Sequence, residues 1–262
     1  MSGDAVYFDF HTHILPGADH GSTGAADTVD EMSELCDLGA GIAVATPHFY
    51  PTSTNVDKFR RVRAAAANEF EKIRRPEWCP TCIGAEVAVC KYLERMPELD
   101  ELCIIGTSVI LLEMPFSRWS DEILDTVSAI RAAGFTIIFA HLDRYDPEAA
   151  EALFALGMKG QLNLSSIGTR NPWKRKRLLG WIDNANIVAV GSDIHTSAVR
   201  DDRAETVRGI AALGGERLDY LKHATGNLLR GAKVFDYKKR PEGNGTSGRN
   251  GGRIESIRKK QK

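Results

Sequence analysis

The sequence of 262 residues contains no run approaching eighteen consecutive apolar residues. Its first residues, Met1-Ser2-Gly3-Asp4, place no basic segment ahead of an apolar stretch. Neither a membrane span nor a secretory signal is expected, and the chain is read as cytoplasmic. Cysteine is scarce: Cys36, Cys79, Cys82, Cys90 and Cys103 are an odd number of scattered thiols, mostly inside apolar runs. That pattern excludes a disulfide framework. Cys79-Pro80-Thr81-Cys82 has no second pair to complete a thiolate zinc knuckle. None of the five cysteines is followed by Arg at the sixth position, so the cysteine-nucleophile phosphatase loop is absent. Net charge is also nearly absent, at −1, and no nucleic-acid partner is expected.

That near-neutral total conceals an uneven distribution. Residues 236–262 hold nine Lys/Arg against Asp236, Glu242 and Glu255, a net of +6, which leaves −7 for residues 1–235. Gly, Asn and Ser fill the same segment and leave too few apolar groups to bury. The expectation is one domain over 1–235 followed by a disordered basic tail over 236–262, able to touch an acidic partner or a membrane surface peripherally. With 43% hydrophobic residues, the body is large enough for a single sizeable core.

What the body does contain is an alternation of strand-like and helix-like stretches. Short apolar runs occur around Phe8-Asp9-Phe10 and over 42–46, 82–85, 108–112, 135–140, 160–165 and 187–192. Helical patterns fall over 25–38, 56–74, 120–133, 147–156, 173–184, 201–213 and 216–230, with a short helical piece at 92–99. Gly39, Gly134 and Gly157 sit where three of these helices must stop. Seven nearly continuous apolar strands alternating with helices predict a parallel sheet covered by helices. In a (β/α) barrel the C-terminal strand ends share one face, where active sites are built.

Six of the seven runs end in a histidine or a carboxylate. His11 and His13, one residue apart, point to the same side of an extended chain and can bind one ion together. His48, Glu86, Glu113, His141, Asp193 and His195 close the other runs, and Asp19 and His20 follow the first. Mixed imidazole and carboxylate donors suit Mn2+, Fe2+ or Zn2+. Eight donors are too many for one ion, whereas two or three ions bridged by a carboxylate such as Glu86 would use them all. A centre of that kind lowers the pKa of bound water toward about 7, giving a hydroxide nucleophile near neutrality. Arg144 and Arg200 lie close to ligands in the sequence, and their planar forks match phosphate oxygens.

The motifs Phe8-Asp9-Phe10-His11-Thr12-His13-Ile14-Leu15-Pro16-Gly17, Thr46-Pro47-His48, Gly84-Ala85-Glu86-Val87, Leu112-Glu113-Met114-Pro115-Phe116, Ala140-His141-x-x-Arg144 and Ser192-Asp193-Ile194-His195 with Arg200 resemble the PHP (polymerase and histidinol phosphatase) superfamily. More narrowly, they are similar to its bacterial metal-dependent tyrosine-protein phosphatases of capsule and exopolysaccharide synthesis. The match runs in order from about Val6 to Gly231. It implies an α/β fold, a distorted seven-stranded (β/α) barrel, with a trinuclear centre usually assigned to manganese. On this resemblance His11, His13, Glu86 and Asp193 serve a first ion, Glu113 and His141 a second, and His48 and His195 a third. Arg144 and Arg200 match the phosphate-binding arginines. The implied substrate is phosphotyrosine on a protein, such as the tail of a bacterial tyrosine kinase that regulates polysaccharide export.

Two positions depart from the family pattern. Asp19-His20-Gly21 stands where the family usually reads Asp-Asp-Gly, so His20 could ligate an ion or protonate the leaving group, an unperturbed imidazole titrating near neutrality. His141-Leu142-Asp143-Arg144 replaces His-Pro-Glu-Arg and keeps the ligand and the arginine. Three other readings remain open on sequence alone: a phosphoesterase for a small monoester such as histidinol phosphate, an amidohydrolase barrel, and a barrel kept for binding. The second normally wants a bridging lysine on strand four, where this chain has Glu113. The third predicts lost ligands, and all eight are present.

Overall fold

The computed structural model describes residues 5–195 and 202–235. Among the described residues, one sheet contains β1 (Tyr7–Thr12), β2 (Ala40–Ala45), β3 (His48–Phe49), β4 (Thr81–Ile83), β5 (Glu86–Ala88), β6 (Val109–Glu113), β7 (Thr136–Phe139), β8 (Lys159–Asn163) and β9 (Ile187–Gly191). Its helices are α1 (Ala25–Asp37), α2 (Val56–Ile73), α3 (Asp121–Ala132), α4 (Pro147–Ala155), α5 (Leu164–Ile167), α6 (Pro172–Asp183) and α7 (Arg203–Leu228). Every strand pairing is parallel, in the order β3-β5-β6-β7-β8-β9-β1-β2-β4. The chain is thus an α/β protein with a curled parallel sheet.

Nine strands replace the seven expected, because two apolar runs are each cut in two. The second run breaks at Thr46-Pro47, where proline has no N–H to give the ladder, and resumes as β3. The third breaks at Gly84-Ala85 and resumes as β5. Backbone bonds from Gly84 N to Ala45 O (2.8 Å) and from Glu86 N to Pro47 O (3.1 Å) carry the pairing across both breaks. The sixth run also stops earlier than expected, since Leu164 and Ser165 begin α5. The piece at 92–99 is two 3-10 turns, Leu93–Arg95 and Leu99–Leu102.

Local chemistry sets the helices. Asn55 accepts the Lys58 amide and caps α2, whose Val56, Phe59, Ala66 and Phe70 are buried at helical spacing. Asp146-Pro147 and Asn171-Pro172 start α4 and α6, each pairing a capping acceptor with a proline whose missing N–H costs nothing there. Gly134 and Gly157 follow α3 and α4 in the left-handed conformation that ends a helix. The helices expected at 201–213 and 216–230 are the two arms of α7, divided where Gly214 leaves helical geometry.

Two apolar clusters follow from the curl. The larger packs the helices onto the outside of the sheet. The smaller draws Phe10, Val44, Cys82, Leu111, Ile138 and Ala189 from six different strands and fills the inside, with Ile104 and Leu229 beneath. Arg200 and the segment 236–262 lie outside the described residues.

Candidate metal centre

The ligand cluster begins at a distortion of β1. Asp9 faces Ala43 and Thr12 faces Ala45, so β1 carries one more residue than β2 across this step. An extra residue of this kind bends a strand and re-aims its side chains. His11 and His13 bring their Nε2 atoms within 3.1 Å of each other. Glu86 Oε2 lies 3.2 Å from His11 Nε2 and 3.4 Å from His13 Nε2. Asp193 Oδ1 lies 3.5 and 3.3 Å from the same two nitrogens. Four buried donor atoms on three elements therefore converge on one point.

The remaining candidates extend the cluster on both sides. His141 Nε2 is 2.8 Å from Glu86 Oε1 and 3.5 Å from Glu113 Oε1. His48 Nδ1 is 2.9 Å from Glu86 Oε2, and His13, His48 and His195 bring ring nitrogens within 4.8 Å of one another. All eight predicted ligands lie in one cluster at the C-terminal ends of the strands, with Glu86 in contact with four of the histidines.

The donor chemistry fits metal ions. Buried polar atoms normally find hydrogen-bond partners. Here Glu86 Oε2, His48 Nδ1 and His141 Nδ1 are buried without one. With neutral histidines, Asp19, Glu86, Glu113 and Asp193 would face, among the described residues, the guanidinium of Arg144, leaving about three negative charges in a largely buried site. Each unpaired buried charge costs several kcal/mol, so the cluster favours bound cations or protons.

Among the protein's own groups, protons partly meet that demand. Burial opposes an imidazolium at His13, but Asp19, Asp193 and Glu86 outweigh it and raise His13 well above the usual range. Burial likewise opposes charge on His141, and Glu113 and Glu86 still push it up to about 9. Burial would raise Glu86, yet His11, His13 and His141 hold it well below the carboxylate range. Asp193 is lowered by His11, His13 and Arg144 against the same burial. His195 moves the other way, down to about 4, through burial and the charge on His13.

A second layer holds these groups in place. Asp19 meets His13 Nδ1 at 2.7 Å and accepts the His48 amide at 2.8 Å and the Gly21 amide at 2.9 Å. It therefore sits behind His13 and turns that ring's Nε2 toward the cluster. β8, the strand expected to supply nothing, provides Gln161 and Asn163. Gln161 Oε1 accepts the His141 amide at 2.7 Å and lies 3.4 Å from His11 Nδ1. Its Nε2 donates to Asn163 Oδ1 at 2.9 Å, and Asn163 Nδ2 donates to Asp193 Oδ2 at 3.1 Å. Two polar residues at alternate positions of an apolar strand are the signal that could have identified them. Asp9, fully buried, accepts the Ser192 amide at 2.9 and 3.1 Å, and burial pushes its carboxyl up to about 6.

The backbone is specialised at the same places. His141 and Asp193 have left-handed φ values of 32° and 54°, a conformation that costs about 1–3 kcal/mol in a non-glycine residue and concentrates at functional sites. At the lip, Arg144 Nη2 donates to Asp193 Oδ2 at 2.5 Å while the side chain stays 44% exposed. His20 is exposed and stacks on His48 at 4.6 Å, so it belongs to the rim of the cluster.

Fold and site together define an α/β protein with a cluster of imidazole and carboxylate donors, of a kind that can hold metal ions, at the C-terminal ends of parallel strands. The chain matches the family described as capsular polysaccharide synthesis, CpsB/CapC, over residues 7–215, and it belongs to that family. Among solved structures it is similar to a chain from the crystal structures of YwqE from Bacillus subtilis and CpsB from Streptococcus pneumoniae, described as unique metal-dependent tyrosine phosphatases. The identity there is 21%, covering 90% of this chain and 100% of that one, with a TM-score of 0.69. It is also similar to a TatD-like protein from Archaeoglobus fulgidus, at 13% identity, 86% and 100% coverage, and a TM-score of 0.50. At these identities the likeness establishes the fold. Comparison with curated proteins gives no match.

Proposed function

We propose that this protein is a metal-dependent protein-tyrosine phosphatase of capsule or exopolysaccharide synthesis, built on the distorted barrel of the PHP type. The observation that carries this reading is the convergence of His11 Nε2, His13 Nε2, Glu86 Oε2 and Asp193 Oδ1, bordered by the half-exposed Arg144. Family membership and the phosphatase activity named for the similar structures support it. His11, His13, Glu86 and Asp193 would hold a first ion, Glu113 and His141 a second and His48 and His195 a third, with manganese the first choice. When bound, they supply an acidified water as nucleophile and polarise the phosphoryl group.

The protein's own groups do the rest. Arg144 presents a guanidinium at the lip, where it can take two phosphoryl oxygens in place of its bond to Asp193. Asp19 and Gln161 hold His13, His11 and His141 so that the substrate meets a preformed site. His20 stands at the rim, placed to donate a proton to the departing phenolate. A phenol ionises near pH 10, far below an alkyl alcohol, so a tyrosyl oxygen needs less help from His20 than a seryl oxygen. Arg200 joins Arg144 in this reading as the second phosphate ligand.

The physiological substrate is a phosphotyrosine protein of the cytoplasm, such as a tyrosine-kinase tail. Among the described residues no helix is long and apolar enough to cross a membrane. The basic segment 236–262 is assigned to peripheral contact with acidic surfaces. The test is release of phosphate from phosphotyrosine, phosphoserine and histidinol phosphate by one Mn2+-loaded preparation, with metal content measured alongside. Phosphotyrosine turnover that disappears in EDTA and in Asp193→Ala supports the reading. Equal turnover in EDTA, or preference for histidinol phosphate, overturns it.

A further inference from the structure

Beside the metal cluster lies a groove of about 680 Å3, within the usual size of a ligand site. Two loops build it, the one after β6 and the one after β7. Trp119 Nε1 donates to the Pro115 carbonyl at 2.9 Å, which folds the first loop on itself. The Tyr145 hydroxyl donates to the Met114 carbonyl at 2.9 Å, which ties the two loops together. The groove and the cluster share a wall: Arg144 lines the groove and bonds Asp193.

Phe116 is the anomaly in this wall. It is 67% exposed, although a phenyl ring gains about 1.5–3 kcal/mol on burial. Its ring lies near-parallel to Tyr145 at 5.5 Å and to His141 at 6.1 Å, with interplanar angles of 27° and 12°. The groove lining carries Arg118 and Arg144 together with Asp146 and Glu148, and Arg144 is the one that also reaches the cluster. An exposed aromatic ring beside that arginine matches a substrate that is apolar and planar next to an anion.

We infer that Phe116 and Tyr145 form the wall that receives the phenyl ring of an aryl phosphate and that Phe116 sets selectivity for aryl over alkyl phosphoesters. The inference rests on the phosphatase reading above and deepens it by naming the group that recognises the ester's organic part. A phosphoryl group beside Arg144 leaves its ester oxygen facing the groove, where a phenyl ring can stack and a short alkyl chain finds nothing to fill.

The test uses the Mn2+-loaded protein and two non-hydrolysable probes, phenylphosphonate and methylphosphonate, whose binding is measured by calorimetry. Phe116→Ala removes both the stacking and the buried ring surface, so it should weaken phenylphosphonate about tenfold and methylphosphonate less than about twofold. Phe116→Trp should restore the preference, and metal content should stay constant in both variants. Equal loss for both probes, or no loss for either, overturns the inference. A wild type that discriminates the probes but hydrolyses no phosphotyrosine leaves the ring site standing and removes the phosphatase reading. A wild type that hydrolyses phosphotyrosine with Phe116→Ala unchanged does the reverse.

Discussion

His48 Nδ1 and Glu86 Oε2 lie 2.9 Å apart, both are buried, and neither has a hydrogen bond. A carboxylate oxygen and an imidazole nitrogen at this separation share a proton or a metal ion. Glu86 also contacts His11, His13 and His141, so one carboxylate is the hub of the cluster.

Replacing that hub should cost more than one ion. Glu86→Gln keeps the size and removes the charge, and bound transition metal per chain, read by mass spectrometry after gel filtration, should fall by at least two ions. Loss of one ion or none would show that Glu86 does not bridge.

Metal affinity should rise with pH. His141 is raised to about 9, so among the protein's own groups its imidazolium contributes stability that is fully present below about pH 6.5 and is lost as pH rises through about 9. A metal ion must displace that proton. Apparent affinity should therefore increase from pH 6.5 to 9, and calorimetry in buffers of different ionisation enthalpy should count released protons. A pH-independent affinity with no proton release contradicts the arrangement.

Gln161→Leu should weaken the centre without removing a ligand. It strands the buried His141 amide, at a cost of about 1–3 kcal/mol, visible as a lower unfolding midpoint in urea. Because Gln161 also orients His11, metal affinity should drop by about 10–100-fold. Unchanged affinity would mean that β8 is only a spacer.

Gly21 is pressed against a ligand. A Cβ there would lie 2.2 Å from His13 Cβ, whereas at Gly24 it would meet nothing within 4 Å. Gly21→Ala should lower thermal stability and metal content together, with Gly24→Ala as the control that changes neither. The same result for both variants would separate the glycine from the histidine.

Much of this site is legible in the amino-acid order because a metal ligand is a residue type that rarely ends an apolar strand without a reason. His11 follows the aromatic Phe8-Asp9-Phe10, and Glu86, Glu113, His141 and Asp193 close runs rich in Val, Ile, Leu or Ala; the run supplies the direction. Supporting groups lack that contrast. Gln161 and Asn163 are neutral amides whose value depends on reaching His141 and Asp193 across the sheet, a relation that no spacing along the chain encodes. Asp19 follows the first run just as the other candidates close theirs, and only its three contacts show that it sits behind His13. The strand count failed for a related reason: Pro47 and Gly84 interrupt pairing locally while the backbone bonds that bridge the breaks are non-local.

The filled interior of the sheet makes the centre a dead end. Phe10, Leu111 and Ile138 pack inside the curl with Ile104 and Leu229, so among the described residues the cluster is closed from within the sheet and faces outward at the strand ends. For the proposed phosphatase, entry and exit on one side would make order matter: metal would load before the ester, and free phosphate left behind would compete with the next substrate.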